Sequence, residues 1–109
     1  MPKAHDEELG RRLFITNREK AVEEALRKIR HSLGHTWEIF SPSDLAALAA
    51  ILGELWVSVG RDEWGTFTFS RLGRDDVETL ITAGRKMEKN PGGKQAVAAE
   101  AEIVLQKTV

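Results

Sequence analysis

The side chains able to do chemistry gather between residues 60 and 76, in the stretch GRDEWGTFTFSRLGRDD, where acidic pairs, arginines, aromatics and three glycines occur together. Calcium is the first chemistry to weigh, because Gly65 stands at the sixth place of a loop beginning at Gly60. Such a loop takes oxygen ligands at its first, third, fifth and twelfth places. Here those places hold Gly60, Asp62, Trp64 and Arg71, a single carboxylate, so the donor set fails. An acid–base set of Asp62, Glu63, Asp75 and Asp76 is a second option. Asp75 and Asp76, however, stand where a helix N-terminus favours acids, and capping accounts for them.

Metal ligation has one further candidate. His31 and His35 are spaced H-x-x-x-H, with Glu38 or His5 as a third ligand. That spacing aligns two imidazoles only on an unbroken helix. Gly34 lies between them at a natural helix end and turns the second ring away. The chain has no cysteine, which removes thiolate catalysis, disulfides and cysteine-ligated zinc. It also lacks the G-x-S-x-G elbow and the glycine-rich phosphate loops. The sequence therefore points away from an enzyme and away from a bound cofactor or metal.

Two constellations remain. Arg71, Arg74, Arg85, Lys86 and Lys89, with Lys94 beyond them, form a basic run beside Trp64 and Phe67. Cations that neutralise phosphates and rings that stack on bases are what nucleic-acid binding requires. Asp75, Asp76, Glu78 and Glu88 share the segment, and the helix there opens on acids, whereas a recognition helix brings its N-terminal residues to the groove. The second constellation is apolar. Trp56, Trp64, Val97, Ala101, Ile103 and Val104, with Ala96 and Ala99, give the later helices more apolar circumference than a short chain covers easily. Tryptophan is enriched at interface hot spots. The favoured expectation is a non-enzymatic interaction module, a homodimer joined through apolar helix faces. The alternative is a small regulatory DNA- or RNA-binding protein.

The elements that position these residues follow from periodicity. Thr16 to Glu19 reads as a capping box, followed by Val22, Ala25, Leu26, Ile29 and Leu33 on one stripe, which predicts a helix over 17–33 ending at Gly34. Residues 1–15 allow a helix or an extended piece and are set apart as a loosely ordered arm. Ser41, Pro42 and Asp44 start a second helix over 42–59. It carries no charge from Leu45 to Gly53, so it is the central helix of the core. A third helix is expected over 75–89 and a fourth over 94–107. The short aromatic pieces 36–40 and 66–70, each before a capped helix, would gain by pairing as a two-stranded β ribbon. The fold class is thus mainly α: one domain over 1–109, a compact bundle of about four helices with that ribbon.

The totals agree with this class. The chain has 109 residues, 41% hydrophobic and 30% charged, with a net charge of −1, as in an ordinary globular domain without a global pull on polyanions. The N-terminal residues lack the apolar run of a signal peptide. The apolar window 45–59 is short for a membrane span and contains Glu54. A cytoplasmic location is expected.

Overall fold

The computed structural model describes the backbone of residues 2–106 and the side chains of residues 17–60 and 63–106. Five α-helices follow one another: α1 Pro2–Leu33, α2 Pro42–Val59, the single turn α3 Arg61–Trp64, α4 Arg74–Lys89 and α5 Lys94–Gln106. Short 3-10 turns at Gly34–Ile39, Phe69–Arg71 and Pro91–Gly93 connect them. Among the described residues there is no strand.

The ribbon expected from 36–40 and 66–70 is therefore absent. Both segments satisfy their amides locally instead: Phe40 N–H donates to the Trp37 carbonyl at 3.2 Å, Phe67 N–H to Trp64 at 3.3 Å, and Arg71 N–H to Thr68 at 3.2 Å. Isolated two-stranded pairs are marginal, and turns of this kind close without a partner. The side-chain alternation survives without the ladder. Phe67 and Phe69 are buried while Thr66 is exposed, and Trp64 lies 5.2 Å from Phe69 and 6.3 Å edge-on from Phe67 between ring centroids.

α1 also differs from expectation. The helix does not begin at Thr16 but runs through it from Pro2. Nothing between Phe14 and Asn17 breaks a helix, and the lone Gly10 costs only about 1 kcal/mol. The loosely ordered arm expected over 1–15 concerns side chains outside the described residues. The predicted stripe of α1 is seen: Ala25 and Ile29 are fully buried, and Val22, Leu26 and Leu33 are packed against the core. Glu24 pairs with Lys28 at 3.5 Å, as the i,i+4 spacing predicts. Gly34 takes φ +57°, the left-handed conformation that ends a helix at little cost to glycine. The Ser32 hydroxyl then donates to the Leu72 carbonyl at 2.8 Å, tying the end of α1 to the approach to α4.

α2 is the spine. It starts at the N-cap Ser41 read from the sequence, and Asp44 at N3 completes a capping box: Asp44 N–H donates to Ser41 Oγ at 3.2 Å, and Ser41 N–H donates to Asp44 Oδ2 at 3.0 Å. Ala47, Leu48, Ile51, Leu52 and Leu55 are buried, and α2 touches α1, α3, α4 and α5. Each buried Leu or Ile contributes about 1.5–3 kcal/mol relative to exposure. Among the described residues α2 is the one helix long and apolar enough to cross a membrane by composition; here much of its surface is covered by protein.

α4 lies directly on α2. A Cβ on Gly84 would stand 2.1 Å from the Ala47 carbonyl oxygen, so the two backbones touch at this point and only glycine fits. The rest of its inner stripe, Val77, Leu80, Ile81, Ala83 and Met87, is buried. The cap of α4 falls two residues earlier than Asp75. Gly73 is the N-cap, and its N–H donates to Asp76 Oδ2 at 3.2 Å, while Asp75 sits in the first turn.

Candidate interaction grooves

α5 was expected to present the largest apolar face, and the structure turns most of that face inward. Val97 and Ala101 are buried, as are Ala98 and Leu105. Trp56 on α2 is buried too, and Trp64 is half-buried on the two phenylalanines. Ala96 and Ala99 are exposed but small, Val104 is half-buried, and Ile103 remains 55% exposed. Of the six predicted interface residues, three are thus spent on the chain's own core. The physical reason is that α5 packs on both α2 and α4, which covers a wider arc than one neighbour would.

The basic run is divided by the fold. Arg74 Nε donates to Glu78 Oε1 at 3.1 Å. Arg85 pairs with Asp44 across the α2–α4 contact. Lys86 lies about 100° further round the helix than Arg85 and reaches Glu100 on α5 at 3.3 Å. Arg71 and Lys89 are exposed and hold no ion pair with any described residue. His31 and His35 are both exposed, on either side of Gly34. Among the described residues no group of three or more His, Asp or Glu side chains comes together.

Two of the open grooves lined by described residues are of equal size. One runs between α1 and α2, about 460 Å³, with Val22, Leu26, Ala49 and Gly53 as its floor and Arg18, Glu19 and Glu23 on its rim. The Arg18 guanidinium lies over Gly53, with Nη2 3.0 Å from where a Cβ would be. Val22 and Leu26 had been read only as part of an inward stripe. Their half-exposure follows from α2 covering that stripe from one side.

The other groove, also about 460 Å³, lies between the start of α2 and the outer face of α4. Ile81 and Phe40 form its floor, Ile39 its rim, and Arg74, Glu78, Arg85 and Asp44 its polar wall. Ile39 is 52% exposed. The wall is fixed by its internal pairs. The Asp44 carboxyl titrates below its ordinary value chiefly because the Ser41 amide donates to it; burial opposes this, and the Ser41 hydroxyl and then the charge of Arg85 add smaller contributions. Sequence reasoning had Arg74 and Arg85 but not this groove, since Asp44 and Arg85 are 41 residues apart.

Among the described residues these features define an all-α bundle with lined surface grooves. Set against protein-family models, curated proteins and solved structures, the chain matches none.

Proposed function

We propose that the protein is a cytoplasmic, non-enzymatic interaction module that forms a homodimer through apolar helix faces, with the α1–α2 groove as the contact in place of α5. The observation that carries this reading is the groove's lining. Its floor is apolar, and its rim has one basic and two acidic residues, none of which holds an ion pair with a described residue. An isologous contact sets the same patch against itself, so its charges must complement each other under a two-fold axis. Two parallel copies of α1, related by a two-fold axis along the helices, set each Arg18 against the partner's Glu23, because residues five apart lie on opposite flanks of the Val22–Leu26 stripe. Val22 and Leu26 then lose their remaining contact with water. Obligate interfaces bury such helix faces, and the charged rim fixes register more than affinity.

The test is mass in solution. Sedimentation equilibrium at low micromolar concentration is expected to give twice the chain mass of 12.2 kDa. A clean monomer across that range overturns the proposal. Nucleic-acid binding through Arg71, Arg74, Arg85, Lys86 and Lys89 is the weaker reading, because three of these five cations already face a carboxylate. Absence of DNA or RNA binding at low salt would remove it.

A further inference from the structure

The α1–α2 groove carries one charge that a two-fold contact leaves without a partner. Its rim holds Arg18, Glu19 and Glu23, and the α2 residues that line it, Ala49 and Gly53, are uncharged. Setting Arg18 against the partner's Glu23 uses the one cation among the described lining residues. We infer that self-association through this groove is gated by protons: copies meet weakly while Glu19 is a carboxylate and tightly once it is neutral. The inference rests on the reading of this groove as the contact between copies.

Helix geometry puts Glu19 within the contact rather than beside it. Successive residues turn by about 100°, and the line midway between Val22 and Leu26 marks the face that a second α1 meets. Glu19 lies about 40° from that line, whereas Arg18 lies about 60° to one side and Glu23 about 80° to the other. Arg18 is on the α2 flank, over Gly53. Glu19 shares the open flank with Glu23, comes nearer the two-fold axis, and so loses more water on association. The two carboxylates are four positions apart, a spacing at which like charges repel. No other described cation faces Glu19. Lys20 lies about 100° further round the helix, outside the groove lining. Arg27 and Lys28 turn to Glu24. Glu54, which follows Gly53 on α2, is outside the lining and is itself acidic. Each half of the contact thus sets one guanidinium against two carboxylates, and a charge withdrawn from water without a partner is costly. A neutral Glu19 avoids that cost, so association takes up protons and strengthens as pH falls.

The experiment is sedimentation equilibrium of the full chain beside Glu19→Gln, which imitates the neutral side chain at nearly equal helix propensity. At about pH 7.5 Glu19→Gln should dimerise about tenfold more tightly than the natural chain. On acidification to about pH 5, just above the ordinary glutamate range, the natural chain should tighten several-fold and the variant should change little. His31 and His35 titrate in the same window but are common to both proteins. Glu88→Gln removes an exposed carboxylate on α4 and alters net charge equally; it should leave the dissociation constant unchanged. Adding Leu26→Glu to Glu19→Gln should undo the gain. A natural dimer with the same constant as Glu19→Gln overturns the inference and leaves the dimer standing. Equal tightening by Glu88→Gln overturns it by assigning the effect to net charge, and a gain that survives Leu26→Glu overturns it by placing the effect outside the groove. A chain that stays monomeric in both the natural and Glu19→Gln forms overturns the dimer itself, and the inference with it.

Discussion

The two grooves have the same volume, about 460 Å³, and are built in opposite ways. Between α1 and α2 a side chain lies on the contact: the Arg18 guanidinium crosses Gly53, and its far end is what a new methyl group would meet. Between α2 and α4 the helices touch backbone to backbone at Ala47 and Gly84, and the groove is the wedge left beside that contact. The first groove has a soft wall with free, self-complementary charge. The second has a rigid wall whose charges are fixed by Asp44 and Glu78. Shape alone would not separate them. The atoms behind each wall do.

The largest expected effect tests this difference at the two glycines. Gly84→Ala must displace the Ala47 carbonyl and should cost about 3 kcal/mol of stability in chemical denaturation. Gly53→Ala meets only the end of a flexible arginine and should cost less than about 1 kcal/mol. Equal costs would mean that the two walls do not differ in stiffness. Next comes the apolar floor of the softer groove. Leu26→Glu should raise the dimer dissociation constant by about 10–100-fold through the loss of one buried leucine. An unchanged dissociation constant would place the contact away from this groove.

A smaller effect concerns the hinge of the rigid wall. Asp44 has a lowered folded value against an ordinary 3.8. Its stabilisation is therefore complete above that ordinary value and is lost as pH falls below it through the folded value. Asp44→Asn should melt earlier than the natural chain at neutral pH, and the two melting points should converge as pH falls through the lowered folded value of Asp44. A difference that persists there would place the role of Asp44 elsewhere. The smallest effect belongs to the Lys86–Glu100 pair, whose side chains are 57% and 61% exposed. Lys86→Gln should change stability by less than about 0.5 kcal/mol and should affect neither groove.

Much of the frame was legible in the residues. Ser41, Pro42 and Asp44 marked the start of α2, and the charge-free run to Gly53 marked it as the spine, because capping and burial are local and compositional signals. The stripe of α1 was legible for the same reason. The ribbon was misread because alternating Phe67 and Phe69 shows which side chains turn inward, not whether a partner strand exists. Thr16 looked like a cap because capping residues also occur inside long helices. The site was least legible. Val97 and Ala101 stand out in the sequence as surplus apolar surface, but α5 packs on both α2 and α4 and buries them; Trp56 on α2 is buried as well.

The sequence by itself determined the helical character of 17–33, 42–59, 75–89 and 94–106, where three of these helices end, and which stripe of the first is apolar, since these depend on neighbours a few residues away. Tertiary structure alone decided how closely the helices approach, and thus which apolar residues stay open and which charges stay free. Gly84 against Ala47 and Arg85 against Asp44 join positions 37 and 41 residues apart in the chain, and no local pattern carries information over that distance.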